Sequence, residues 1–403
     1  MKTEGRVYAK ITPSVMKWAR ESANIPLDAA AEKFQITIER MKRWENGEER
    51  PTVSQMQNKV CKFYRRPLAV FYLPAPPKDF SPLKDFRRLP SAALGYFPTE
   101  LIFLMREAED KQTWLREYLT ETDGHKLEFV GSAGLNQSPA SVAAKIRKHI
   151  GLTLEMQKSW NGQRDAALRK LREMTEAIGI FVMQHGGGGK GKERLDVSDV
   201  RGFAISDEYA PLIFLNSNDS PAGRCFSLCH ELTHLWLNSS GVSNLSWTSD
   251  TGNLPDEGRT EIFCNKVASH ILVPEKAFED IWNEDMTGND LEENIASIAR
   301  FLCVSEAVIA RRLYDNSSIS KSKFEELHHK YSMYRAKARP VSESGGPSFY
   351  TMKVFQNGKA LIQTVIMAYH EGFAGSIDIC GLLGVKTNHL NSLAIEAGLP
   401  GCV

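Results

Sequence analysis

Residues 225–237 read CFSLCHELTHLWL, a segment without glycine or proline near the middle of the chain. Apolar residues would occur on nearly every side of a helix formed by this segment, a pattern that predicts a buried helix. The segment also carries His230, Glu231 and His234. Ionisable side chains on a buried helix need partners, because an isolated charge inside a protein is strongly unfavourable.

The spacing of these three residues indicates a metal site. Two helical residues four positions apart differ by about 40° in direction and about 6 Å in height, so both imidazoles can reach one ion. Glu231 lies about 100° round from His230, where a carboxylate can serve as a general base. H-E-x-x-H on a helix is typical of zinc peptidases. The alternative is a pair of core histidines satisfied by hydrogen bonds.

A catalytic zinc site uses a third protein ligand. Glu261 opens the next predicted helix, 27 residues after His234, and the polar segment between them can turn the chain back. Asp256 and Glu257 suit the same role by spacing alone. A carboxylate on a helix surface also needs no metal, so the spacing leaves the third ligand open.

The surrounding pattern predicts an α+β fold that is mostly helical. Apolar spacings of three and four predict helices at 100–119, 140–150, 164–177, 223–237, 259–272, 291–302, 306–314 and 323–336. Short apolar runs predict strands at 180–183, 201–206 and 211–215. This order of elements, with helices before and after a small sheet, is typical of an α+β protein.

Breaks between these elements predict four domains. They are an all-α domain at 1–72, a helical connector at 73–160, the sheet and histidine helix with trailing helices at 161–340, and a small C-terminal module at 341–403. The connector starts at a proline-rich stretch, and the last module follows the linker candidate 342–347.

Charge and cysteine content narrow the class of protein. The 403 residues include 50 Lys+Arg and 49 Asp+Glu, but residues 1–70 hold fourteen basic and eight acidic residues, a net charge of +6. A basic N-terminal region favours a nucleic-acid partner there. The seven cysteines lack C-x-x-C spacing, which argues against a disulfide framework or a thiolate cluster. We expect a cytoplasmic protein without a membrane partner, because no apolar run resembles a secretion signal or a membrane span.

Residues 200–275 resemble the ImmA/IrrE family of metallopeptidases. The motifs that carry the resemblance are Pro211-Leu212-Ile213-Phe214-Leu215-Asn216, Arg224-Cys225-Phe226-Ser227-Leu228-Cys229 before the histidine pair, Glu261-x-x-Cys264-Asn265-x-Val267-Ala268, and Ile271-Leu272-Val273-Pro274. The resemblance implies a zincin-like peptidase core, one Zn²⁺ held by His230, His234 and Glu261, and Glu231 as the catalytic base. Cys264, Val267 and His270 stand where Ala, Phe and Glu are usual, and none of these departures removes a ligand.

Supporting side chains are expected around the metal. Asn265, one turn after Glu261, is expected to orient a ligand. A peptidase also needs a group that stabilises the oxyanion. Arg224, His185 and His270 are candidates for this role, and the sequence does not choose between them.

Residues 13–70 resemble the helix-turn-helix domain of the XRE class of repressors. The resemblance lies in Arg20, in Ile25-Pro26-Leu27-Asp28-Ala29-Ala30-Ala31, in Ile36-Thr37-Ile38 and in Trp44-Glu45-x-Gly47. It implies a recognition helix that exposes Thr37, Glu39, Arg40 and Arg43, with Lys42, Arg65 and Arg66 on phosphates. Acidic residues beside this surface leave a protein-interaction role as the alternative to DNA binding.

Three further regions are predicted to have other roles. Residues 71–87 resemble the connector of long members of the peptidase family. Residues 291–313 resemble the helical pair that follows its core, and we expect them to be a packing scaffold. The tail helices around 376–397 are expected to be an interaction surface of unknown role.

These features predict a site-specific zinc endopeptidase fused to a helix-turn-helix domain. The family resemblance implies a regulatory protein as substrate, often a repressor, cleaved in a stress or phage-related response. One alternative is a DNA-binding transcriptional regulator whose metal site is sensory or vestigial. Another is the toxin or phage-defence component of a toxin–antitoxin-like pair.

Overall fold

The computed structural model of the chain describes residues 7–77, 97–187, 194–243, 256–285, 290–335 and 347–400. These residues form two compact units, 7–77 with 97–107, and 108–400 apart from the gaps just given. Helix α6, Thr99–Glu121, contributes residues to both units. The four predicted domains stay predictions. Part of the predicted connector, 78–96, and most of the predicted linker, 342–346, lie outside the described residues.

The first unit is helical, as predicted for the N-terminal region. Its elements are α1 Pro13–Glu21, α2 Leu27–Phe34, α3 Ile38–Asn46, α4 Val53–Gln55, a π-helical segment Met56–Val60, α5 Cys61–Tyr64 and a 3-10 helix Leu68–Tyr72. Thr37 begins α3 by accepting a hydrogen bond from the Arg40 N–H at 3.2 Å. Gly47 ends α3 with a φ of 81°, a conformation that glycine adopts without strain.

A buried ion pair joins α1 to α3. Arg20 donates from Nε and Nη2 to both carboxylate oxygens of Glu45, at 2.8 and 3.0 Å. Such a bidentate pair fixes orientation as well as supplying energy. The apolar core around it includes Met16, Phe34, Met41, Trp44 and Tyr64. The assignment of this unit to the helix-turn-helix class stays a prediction.

The second unit contains a four-stranded sheet. Its strands are β1 Phe181–His185, β2 Gly202–Ile205, β3 Leu212–Asn216 and β4 Gly241–Ser243, in the order β1-β3-β2-β4. β1 runs parallel to β3, while β2 is antiparallel to both β3 and β4. The three predicted strands are confirmed. β4 was not predicted, because it is very short and lies in a polar segment rich in turn-forming residues.

The second unit also contains many helices, which confirms the mostly helical α+β class. They are α7 Pro139–His149, α8 Leu154–Ser159, α9 Arg164–Ala177, α10 Pro221–Trp236, α11 Asp256–Leu272, α12 Glu275–Asp285, α13 Leu291–Phe301, α14 Glu306–Asp315 and α15 Lys321–Arg335. Every residue of α10 is buried, as its apolar pattern predicted. In the described part of the chain, none of the helices combines the length and the hydropathy needed to cross a bilayer.

The tail of the chain forms four more helices in the second unit. They are α16 Phe349–Asn357, α17 Lys359–His370, α18 Ser376–Leu383 and α19 Leu390–Glu396, with a 3-10 helix Thr387–His389 before the last. α16 and α17 contact β1. Arg172 on α9 donates to Phe355 O at 2.8 Å and to Val182 O at 2.6 Å, so one buried guanidinium joins α9, α16 and β1.

Candidate metal centre

Helix α10 places the two histidines side by side. The helix starts cleanly, because Ser220 accepts a hydrogen bond from the Gly223 N–H at 3.0 Å and Pro221 occupies the first turn. In the second half of α10, His230 and His234 lie about one helical turn apart; both are fully buried, and their Nε2 atoms are 3.1 Å apart. The common face predicted from their spacing is therefore present.

Helix α11 brings Glu261 to the same point. Glu261 Oε2 lies 3.4 Å from His230 Nε2, and Oε1 lies 3.0 Å from His234 Nε2. The three potential ligand atoms all lie within 4.8 Å of one another. Asp256 and Glu257 are in the first turn of α11, but their side chains lie outside the described residues.

The spacing and chemistry of these atoms fit a zinc ion. Ligand atoms about 2.0–2.1 Å from a tetrahedral zinc are about 3.3 Å from one another. The three separations between the two imidazoles and the carboxylate are close to that value. Two nitrogens and one oxygen are also a donor set that zinc accepts at catalytic centres, with a fourth position left for water.

Asn265 orients the first histidine. Its Oδ1 lies 3.0 Å from His230 Nδ1. A carbonyl oxygen only accepts hydrogen bonds, so this contact keeps the proton on Nδ1 and leaves the Nε2 lone pair for a metal. The prediction that Asn265 supports a ligand is consistent with this contact.

Ser239, which follows α10, contacts the Nδ1 atom of His234, as Asn265 contacts that of His230. Its Oγ lies 3.4 Å from His234 Nδ1. Ser239 was not predicted from the sequence, because serine is common in the polar segment after the helix. A serine five residues after a histidine does not by itself predict a contact. The turn that brings the Ser239 hydroxyl back to the His234 ring is visible only in the structure.

The Glu261 carboxylate stays ionised between the imidazoles. Burial raises the pKa of Glu261, but the contacts with His230 and His234 outweigh burial and lower this pKa to about 2. Burial lowers the pKa of His230, and the same carboxylate outweighs it, so the pKa of His230 is raised. Burial prevails at His234 and lowers its pKa. Metal binding requires a deprotonated carboxylate and imidazoles without a proton on Nε2, so an ion would have to displace the proton that the raised pKa favours on His230.

Glu231 lies on the sheet side of α10. It is buried, and its Oε1 comes within 3.0 Å of the position that a Cβ at Gly202 would occupy on β2. The carboxylate is therefore beside the ligand-bearing face of α10 and not part of the ligand group, as the 100° offset predicted.

The three oxyanion candidates make contacts with residues outside the ligand group. Arg224 donates to Gln184 Oε1 on β1 at 2.9 Å, and His185 Nδ1 accepts a hydrogen bond from the Gly187 N–H at 2.8 Å. His270 is nine residues after Glu261, so it lies on the opposite side of α11. Its Nε2 accepts a hydrogen bond from Arg312 at 3.0 Å. The role of each in oxyanion stabilisation stays a prediction.

The residues predicted for DNA binding lie on and around α3. Thr37, Lys42 and Arg43 are exposed, and Arg40 is partly buried. Glu49 pairs with Arg40 at 2.6 Å and with Arg43 at 3.1 Å, which reduces the positive charge of this surface.

The two predicted phosphate contacts beyond α3 face other partners. Arg65 pairs with Glu100 at 2.6 Å, and its guanidinium lies 4.2 Å from the centre of the Phe103 ring. The Arg66 guanidinium lies 4.8 Å from the centre of the Trp18 ring. Both side chains thus contribute to packing of the first unit.

The two buried imidazoles and the carboxylate form a group that could hold one metal ion, and a second glutamate lies on the same helix as the imidazoles. Part of the sequence also matches a model of a known protein family. Residues 176–314 match the IrrE N-terminal-like domain, Peptidase_M78. The matched range contains the ligand group, Glu231 and Asn265. The match supports a metallopeptidase of the ImmA/IrrE kind. No curated protein matches the chain.

Proposed function

We propose that the chain is a cytoplasmic, zinc-dependent, site-specific endopeptidase with a zincin-like core. The observation that carries the proposal is the buried convergence of His230, His234 and Glu261 inside the range that matches a peptidase family. A protein substrate is implied by that family. Three protein ligands with a fourth position open is the arrangement of catalytic zinc sites, whereas structural zinc sites are closed by four protein ligands.

Zinc bound to these ligands would supply an acidified water and a Lewis acid for the scissile carbonyl. Glu231 would accept a proton from the attacking water and deliver it to the leaving amine. The Glu231 carboxylate is buried against β2, and it is close enough to His230 to help raise the pKa of that imidazole. Asn265 would keep His230 in the tautomer that binds the metal.

The substrate in this proposal is a regulatory protein of the repressor type, cleaved in a stress or phage-related response. The first unit would recruit that substrate, through DNA or through direct protein contact. Lys42 and Arg43 on the exposed side of α3 favour DNA, since cations on a helix surface suit phosphate contacts. Glu49 beside them favours a protein partner.

The proposal is tested by comparing the proteomes of cells that express the wild type and Glu231→Gln. Gln keeps the size of Glu231 but cannot accept the proton, so we expect the rate of cleavage to fall at least about 100-fold. One or a few regulatory proteins should then accumulate as cleavage products only with the wild type. A catalytically inactive metal site, as in a transcriptional regulator, would produce identical proteomes.

Metal content separates the ligands from the base. After reconstitution with zinc, the wild type and Glu231→Gln should each hold about one ion per chain. His230→Ala and Glu261→Ala should lose it, because each removes one of only three protein ligands. Asp256→Ala and Glu257→Ala are the matched carboxylate controls. Normal zinc binding by Glu261→Ala, with loss in one of these controls, would mean that the third ligand is misassigned.

A further inference from the structure

The first residue of β2, Gly202, lies against the proposed catalytic glutamate. A Cβ placed on Gly202 would lie 3.0 Å from Glu231 Oε1, 3.3 Å from Glu231 Cγ and 2.8 Å from Phe214 O. These separations are shorter than ordinary van der Waals contact, which for carbon is about 3.5–4.0 Å. Gly202 is buried and paired with Leu215 of β3 and Ser243 of β4, so β2 cannot easily move away.

Glu231 is enclosed within the second unit. It is 1% exposed, and α10 packs on β2 and β3 as well as on α9 and α11. A carboxylate confined in this way takes its position from the atoms that surround it, because protein interiors are close-packed. On the sheet side, the surrounding surface is the bare backbone of Gly202.

We propose that Gly202 is a positioning residue for Glu231, a role that extends the peptidase function proposed above. The missing side chain lets the Glu231 carboxylate rest directly on the backbone of β2. Any side chain at this position would push the carboxylate away from the strand, because the end of a flexible side chain yields more easily than the Phe214 carbonyl of a paired strand. The carboxylate would have to move by a few tenths of an ångström. Catalysis would suffer, because the rate depends steeply on the position of a proton-transfer group.

The contact is tested by a double-variant cycle. Gly202→Ala is introduced into the wild type and into Glu231→Ala, and the thermal midpoints of the four metal-free proteins are compared. If the added methyl group collides with Glu231, Gly202→Ala should lower the midpoint by roughly 3 °C more in the wild type than in the Glu231→Ala background. Gly381→Ala is the matched control, since a Cβ at Gly381 meets no atom within 4 Å.

An equal or smaller loss in the wild-type background would overturn the proposal, because the collision with Phe214 O would then explain the whole effect. Variants that fail to fold are also informative. Failure of Gly202→Ala in the wild type with recovery in the Glu231→Ala background supports the proposal. Failure in both backgrounds refutes it.

Cobalt absorption tests the effect on the site itself. The three ligands lie on α10 and α11, so Gly202→Ala should still bind one Co²⁺ per chain, but with a visible spectrum that differs from the wild type. In the Glu231→Ala background the same substitution should leave the spectrum unchanged. A wild-type spectrum for Gly202→Ala would contradict positioning. If the wild type binds no Co²⁺, the peptidase proposal fails, while the thermal cycle still decides on the contact.

Discussion

The hydrogen bond between Asn265 and His230 links the two helices that carry the proposed ligands. Because it sets both the tautomer and the ring direction of His230, it should contribute to metal affinity. We expect Asn265→Ala to weaken zinc binding about 10- to 100-fold in competition with a chromophoric chelator. Asn265→Asp keeps an acceptor oxygen and should retain most of the affinity.

Asn294→Ala is the control for this prediction, since Asn294 is a buried asparagine on α13, another helix of the same unit. Equal zinc affinities for Asn265→Ala and the wild type would show that the contact has no influence on the metal.

A second prediction at the scale of single residues concerns His270, which makes the stability of the folded protein depend on pH. Burial and the nearby Arg312 charge lower the pKa of His270 to about 4, from an ordinary value of 6.5. Between these two values the unfolded chain binds more protons than the folded one, so the free energy of unfolding falls as pH falls. Above pH 6.5 His270 is neutral in both states and costs nothing. As the pH falls toward 4, the cost of keeping His270 neutral in the folded state grows to its full value. We expect it to reach at most about 2 kcal/mol, allowing for partial exposure.

Urea unfolding of metal-free protein between pH 7 and pH 4 measures this dependence. His270→Gln keeps an acceptor for Arg312 but cannot be protonated, so the loss of stability in this range should become smaller by that amount. His125→Gln, which changes an exposed histidine, should leave the pH dependence as it is in the wild type. The same pH dependence in all three proteins would disprove the assignment.

At the scale of elements, α3 is the helix on which the DNA proposal rests. If Lys42 contacts a phosphate, Lys42→Ala in the full chain should weaken binding and reduce the salt dependence of log K by about 1 unit. Glu49→Gln should strengthen binding, because it frees Arg40 and Arg43 from an ion pair. Gel shifts on the gene's upstream region at several salt concentrations provide the measurement.

Lys17→Ala is a suitable control, since Lys17 is an exposed lysine on α1. If the wild type binds no DNA even at low salt, the first unit is better assigned to protein interaction. If Lys17→Ala and Lys42→Ala weaken binding equally, the charge of the unit matters but α3 is not the recognition helix.

At the scale of the whole molecule, the tail helices determine whether the second unit is complete. β1 is an edge strand that α16 and α17 contact, and unprotected edge strands promote aggregation. Removal of residues 347–403 would also take the Phe355 carbonyl from the buried Arg172 guanidinium. We expect the truncated chain to unfold at a lower temperature and to aggregate, as seen by calorimetry and size-exclusion chromatography.

A chain in which 341–346 is replaced by glycine and serine of equal length is the control. It should behave like the wild type, because it keeps every contact of the tail helices described above. A truncated chain with the wild-type midpoint and no aggregation would instead identify 341–403 as an independent module.

Local chain geometry determined much of this protein from its sequence alone. The helix at 164–177 was predicted with its observed bounds, and all three predicted strands are present. The common direction of His230 and His234 also follows from helical geometry, whatever the rest of the fold does. These features depend on residues only a few positions apart, so periodicity is sufficient to predict them.

Only the tertiary structure decided which distant groups meet. Spacing left Glu261, Asp256 and Glu257 equivalent, and the packing of α11 on α10 is what brings Glu261 to the histidines. Packing likewise places His270 beside Arg312, away from the ligand group, and Gly202 beside Glu231. Each of these contacts joins residues separated by many positions in the chain. Their proximity depends on how helices and strands pack, which the local pattern of any one segment does not contain.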